Sequence, residues 1–215
     1  MKHTLFLSVI IGTIFFVSCK KDVTDLQTEK PEIIDKTKSF LKDVKSDTLS
    51  EYYISGEFDG HKIYCSSTFA STFPYHDTVF NALYVNNNID LDNIHLIREN
   101  NEMSVMIAIY FDKAKIFTRQ FPYNLPRANL DICEAAQMEL INMKKLGTAG
   151  QGSPNDDFSF WGHTNSLIKV QVTSFVDNIM EGTFEGTLTT KTGSTIIAKN
   201  GKFRIKIIIV NTGNG

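Results

Sequence analysis

The stretch DNIMEGTFEGTLTTKTGSTIIAKNGKFRIKI, Asp177–Ile207, decides how the chain folds, because its side chains change character at every second position. Phe184, Gly186 and Leu188 alternate with Thr183, Glu185 and Thr187; Phe203, Ile205 and Ile207 alternate with Lys202, Arg204 and Lys206. A period of two places one set on each face of an extended strand and would scatter both sets around a helix. Thr192-Gly193 and Asn200-Gly201 punctuate the run as turn candidates. The pattern predicts adjacent antiparallel strands with one buried and one wetted face.

The same period extends upstream. In SLIKVQVTSF, Ile168, Val170 and Val172 oppose Lys169, Gln171 and Thr173. In EYYISGEFDGHKIYCSSTF, Glu51–Phe69, Ile54 and Phe58 lead to Asp59-Gly60, a pair suited to the positive φ angles of a two-residue hairpin, and the chain returns through Ile63 and Cys65. MSVMIAIYFD, Met103–Asp112, is apolar on both faces and predicts a strand covered on both sides, with IHLIRE, Ile94–Glu99, as its partner. DTVFNALYV is ambiguous between helix and strand, and NNNIDLDN, Asn86–Asn93, reads as a loop. Glu32–Val44 carries a weak helical stripe. Sixteen Phe and seven Tyr suit strands.

Asn129–Leu146 reads as the one main helix. Asp131 and Glu134 form a near capping box, Lys144 and Lys145 complement the dipole, Gly147 suits the stop, and Cys133, Ala136, Leu140 and Met143 share a stripe. GTAGQGSPNDD follows as a link. The expected fold is therefore mainly β: an antiparallel β-sandwich, or partly open barrel, with one main packed α-helix near residues 129–146.

At the other end, Lys2 precedes an apolar run, Thr4–Val17, then Ser18-Cys19-Lys20-Lys21-Asp22. Fourteen helical residues rise about 21 Å against about 30 Å of bilayer hydrocarbon, so a signal peptide fits better than a span. Phe16-Val17-Ser18-Cys19 resembles the bacterial lipobox, which implies a diacylglycerol on the Cys19 thiol and cleavage before it. Several acyl chains, at about 0.8 kcal/mol per buried methylene, make a stable anchor. The organisation expected is a lipoprotein signal peptide at 1–18, a tether at 19–30 and a single β-rich domain at 31–215. Cleavage takes 18 of the 215 residues, with Lys2 the only charged one among them, so the net charge moves from −2 to −3. That balance excludes the basic excess of a nucleic-acid binder.

DNIMEGTFEGTL followed by TGSTIIAKNGKFRIKI also resembles the C-terminal hairpins of uncharacterised Bacteroidota lipoproteins, and ISGEFDGHKI their opening strand–turn–strand. The resemblance implies a β-sandwich lipoprotein domain and transfers no functional residue except Cys19. The charged residues after Cys19 resemble a surface-export signal, and Lys20 stands where inner-membrane retention would want Asp. Outer-membrane attachment is expected, with the cell surface favoured slightly over the periplasmic face, and acyl chains making the membrane itself a partner.

With Cys19 acylated, Cys65 and Cys133 are left as an even pair in an oxidising compartment. A disulfide closing 68 residues would add roughly 4 kcal/mol, and two buried reduced thiols are the equal alternative. His61, His76, His95 and His163 show no metal spacing, Asp90–Asn93 reads as a solvated turn, and no phosphate loop or catalytic motif occurs, so neither metal, cofactor nor enzyme is expected. NDDFSFWGHTN gathers Asp156, Phe160, Trp161 and His163. Core packing at the head of a strand is the simpler reading; the alternative is a sugar platform, where rings stack on apolar sugar faces and polar groups bond hydroxyls. The function expected is an envelope binding or structural module contacting an unidentified ligand or envelope protein. A glycan-binding accessory role through Trp161 is the first alternative, and an envelope hydrolase the second.

Overall fold

A computed structural model describes residues 35–68, 82–86, 91–112, 119–125, 127–128, 133–145, 158–163 and 167–211. The chain divides into two units, Met1–Ile33 and Ile34–Gly215. The signal segment, Cys19, the tether, Asp156 and the link after residue 146 lie outside the described residues.

Period-two segments become strands. In chain order they are β1 Tyr53–Phe58, β2 His61–Cys65, β3 Ala82–Asn86, β4 Leu91–Glu99, β5 Val105–Asp112, β6 Tyr123–Leu125, β7 Arg127–Ala128, β8 Cys133–Asn142, β9 Ser159–His163, β10 Ile168–Val176, β11 Ile179–Thr189, β12 Thr195–Lys206 and β13 Ile208–Asn211. They join in the order β13-β3-β4-β5-β8-β9-β11-β12-β1-β2, with β10 and β6 extending from β11. Every pair is antiparallel except β13 on β3. Just past β2, Ser67 bridges Glu99 at the end of β4, so the sheet returns on itself as a nearly closed barrel. Closure answers the problem of exposed strand edges.

The inward faces fill the barrel with side chains. Phe58, Phe111, Phe160, Phe203 and Tyr123 are fully buried there, together with Ile54, Ile63, Leu96, Ile107 and Ile109. Turns follow the expected chemistry: Asp59 and Gly60 have φ of 45° and 83°. The weak stripe at 32–44 yields only a 3-10 turn, Ser39–Asp43, whose Leu41 enters the core and whose neighbour Phe40 stacks on Phe160 at 6.3 Å. Lys38 pairs with Asp59 at 2.9 Å, tying this turn to the β1–β2 hairpin. Asn100, fully buried after β4, accepts from the Ser104 and Val105 amides and donates to the Lys45 carbonyl and Ser104 Oγ. Its side chain thereby uses four hydrogen-bonding positions and stitches residue 45 to the β4–β5 turn.

Four expectations are corrected. Among the described residues the main helix gives way to strand: residues 133–142 form β8, paired with β5 from Val105↔Asn142 to Asp112↔Ala135. Ala136, Met138 and Leu140 enter the core, while Ile141 joins Ile97, Met106 and Ala108 in a second cluster on the outer face. Apolar residues on both faces imitate a helical stripe, and tertiary pairing overrides the helix propensity of EAAQMEL. Asn200-Gly201 is no hairpin turn; Asn200, at φ 52°, sits at a bulge inside β12. Residues 91–93 are strand rather than loop. Of the two readings of Cys65, the structure has the free thiol, and burial, then the charges of Asp47 and Glu99, hold it well above its ordinary range. Cys133 lies in β8, its side chain outside the described residues.

Candidate functional site

Register across the outer face of β4, β5, β8 and β9 assembles residues distant in sequence. One row runs Ile97, Ala108, Glu139, Trp161 and Thr189; the next runs His95, Tyr110, Gln137 and His163. Direct cross-strand neighbours have Cβ atoms about 5 Å apart, so Trp161 is set beside Glu139 by the pairing itself.

Trp161 is 45% exposed, so the simpler reading of a buried tryptophan fails for it. Phe160, its neighbour on the opposite face, is fully buried and belongs to the core. Alternation in β9 therefore separates these two aromatics, and of the two Trp161 is the one that offers a ring to a ligand. His163 occupies the register position opposite Gln137; its side chain, like Asp156, is outside the described residues.

Glu139, Gln137 and Tyr110 are the groups a reading of the sequence misses, because assigning β8 to a helix hides their alignment with Trp161. The signal available was the spacing of two in AQMEL, which puts Gln137 and Glu139 on one strand face. Gln137 Nε2 donates to Glu139 Oε1 at 2.6 Å. Desolvation raises the Glu139 pKa, and the Gln137 bond opposes that shift. Burial raises the Tyr110 phenol as well, with the Glu139 charge adding to it, and His95 meets Tyr110 edge to face at 5.2 Å. Chemically this is a carboxyl, an amide and a half-exposed indole in one row and the next: a hydrogen-bonding and stacking surface. Paired-carboxylate hydrolysis needs a second acid about 5 to 10 Å away. Among the described residues no carboxylate contributes to the Glu139 shift, and no three His, Cys, Asp or Glu stand together as a metal site.

Against protein-family models, curated proteins and solved structures the chain finds no match. The site therefore rests on its own geometry.

Glu139 has a raised pKa in the folded state, so its contribution to stability is fully present below the ordinary carboxylate range and is lost as pH rises through the folded value. Glu139→Gln is accordingly expected to be more stable than wild type at pH 7, with the difference vanishing below about pH 4. Emission from the single tryptophan should titrate above the usual carboxylate range in wild type and stay flat in the variant. A wild-type titration at the ordinary carboxylate value would refute the assigned environment.

Proposed function

We propose that this protein is an outer-membrane lipoprotein, held by acyl chains on Cys19, whose β-barrel domain is a binding module at the cell envelope. The observation that carries the anchor is the sequence Phe16-Val17-Ser18-Cys19 behind a short apolar run with a basic start. Among the described residues no helix is long and apolar enough to cross a membrane. A barrel interior filled by Phe58, Phe111, Phe160 and Phe203 favours recognition on outer faces rather than in a lumen. Cys19→Ala should remain an unprocessed precursor that takes up no labelled fatty acid. Normal acylation and membrane retention of that variant would refute the anchor.

The exposure of Trp161 beside Glu139 favours a second reading, a sugar-stacking accessory role for the β8–β9 face. Oligosaccharides that occupy it should shift the emission of the single tryptophan; an unchanged spectrum at saturating sugar would remove this reading.

A further inference from the structure

Near the turn that joins β11 to β12, three large apolar side chains stand out of the sheet together. Trp161 is 45% exposed, Leu167 40% and Ile197 49%, while their chain neighbours Phe160, Ile168, Ile196 and Ala198 are buried in the core. Alternation puts the three on the outer face. Register then brings them side by side. Trp161 pairs with Thr189, whose other partner is Thr195. In the next outward-facing row of β11, Thr187 pairs with Ile197, and its amide donates to the Leu167 carbonyl at 3.0 Å. Two inter-strand steps and two rows hold the patch within about 10 Å by 7 Å. Apolar residues scattered over a surface need no explanation, but neighbours gathered inside a polar rim mark a contact. The rim here is Lys169 paired with Glu185 at 3.7 Å, Lys199, and the Glu139 carboxyl, to which Gln137 donates at 2.6 Å.

The chain enters the domain beside this patch. Asp35, the first described residue, accepts a hydrogen bond from Ser194 in the β11–β12 turn. Three residues on, Lys38 pairs with Asp59 at 2.9 Å. Asp59 in turn accepts from the Ile197 amide at 2.7 Å and donates its own amide to the Ile197 carbonyl at 3.0 Å. The residues that lead back to Cys19 therefore set out from the strand that carries Ile197. Cys19 lies 16 positions before Asp35 (35 − 19), a stretch that reaches at most about 55 Å. If the opposite end of β12 faced the bilayer, that stretch would first have to pass 12 residues of strand, about 40 Å. With the patch facing the bilayer it passes none, so an anchored domain is biased to present this end.

We propose that Trp161, Leu167 and Ile197 dock onto the bilayer interface, their side chains at headgroup depth and the barrel outside. The proposal rests on the reading of Cys19 as an acyl anchor, and it gives Trp161 to lipid rather than to sugar. Indole favours the membrane–water boundary, where its ring is apolar and its N–H stays wet. Leu167 and Ile197 carry no side-chain group that could bond a sugar hydroxyl. A protein partner would ask for more, since a stable interface takes about 800 Å² from each side and three side chains supply far less. A tethered surface asks for less, because acylation has already made the second contact intramolecular.

Trp161 is the single tryptophan, so its emission reads the contact directly. The acylated mature protein in phosphatidylcholine vesicles should emit to the blue of a Leu167→Gln/Ile197→Gln double variant. Lipids brominated high on the acyl chain should quench the wild type and spare that variant. Both proteins should carry labelled fatty acid and float with the vesicles, which reads the anchor separately. Val176→Gln, a change to an exposed side chain at the other end of β10, should be quenched like wild type. Matching urea midpoints should show that the double variant, altered only at exposed positions, stays folded. Label and flotation without quenching of wild type would overturn the docking and leave the anchor standing; absence of label and flotation would remove both. Equal quenching of the double variant would overturn the docking as well. So would emission that answers to soluble oligosaccharide but not to bromination, or a shift that follows protein density in the vesicles and assigns the patch to a second copy.

Discussion

Gly182→Ala is expected to lower the stability of the domain by about 3 kcal/mol, a cost at the upper end of overpacking. Gly182 lies in β11 with Phe203 of β12 as its partner on one side and Val172 of β10 on the other. A Cβ built there meets the Gln171 carbonyl oxygen at 2.2 Å and Phe203 Cζ at 2.2 Å. The ring could turn aside, but the carbonyl belongs to the backbone of a strand paired on both sides by β6 and β11. Relief requires β10 to separate from β11. For a domain of this size the loss corresponds to a melting temperature roughly 6–12 °C lower. Urea unfolding should show an earlier midpoint at unchanged slope. Gly193→Ala is the control: its Cβ meets nothing within 4 Å, and only its φ of 92° is strained, at about 1 kcal/mol. Equal effects of the two substitutions would show that β10 yields at Gly182.

How far sequence reveals this protein follows from which faces its strands bury. In β10, β11 and β12 one face is buried and the other wetted, so Val170, Phe184 and Phe203 can be assigned inward before any coordinates exist. The covered strand β5 was equally readable, because Val105–Phe111 is apolar throughout. β8 was not. Its outer face is half apolar at Ile141 and half polar at Gln137 and Glu139, and such a mixture satisfies a 3.6-residue period as well as a period of two. Length and helix formers then tip a local reading toward helix, and only pairing with β5 and β9 corrects it. The site was hidden for the same reason. Trp161 was visible as a residue, yet its neighbours Glu139 and Thr189 come from strands 22 and 28 positions away, and register is not a local property.

Asn200-Gly201 illustrates a second limit. Two adjacent residues that tolerate positive φ serve a hairpin turn or a bulge equally well, and the chain on either side is extended in both cases. The choice falls to the partners. Phe184 of β11 and Ser55 of β1 hold β12 on both sides of the bend, so the strand continues through it. A bend in mid-strand makes a concave outer wall, which a turn at the rim would not.

That bend is expected to depend on one aromatic–glycine pair, and a double-mutant cycle measures it. Phe184 stands directly across from Gly201, and its ring covers the glycine so closely that an added Cβ would lie 2.3 Å from Cδ2 and Cε2. The same ring reaches within 3.3 Å of a Cβ placed on Gly56 and lies 6.4 Å from Phe58. Phe184→Ala should cost about 3–5 kcal/mol, since a buried ring is lost and backbone-rich surroundings collapse poorly into the void. Gly201→Ala should cost about 2 kcal/mol while Phe184 is present, because the ring must tilt into Phe58. In the Phe184→Ala background the new methyl enters vacated space and lowers the entropy of the unfolded chain, so its cost should vanish or reverse. The cycle should therefore show a coupling of about 2 kcal/mol, well beyond the 0.3–0.5 kcal/mol expected of independent sites. Additive losses would mean that ring and glycine do not compete for one volume. Here, unlike at Gly182, the obstacle is a side chain, and removing it must rescue the substitution if ring and glycine share one volume as described.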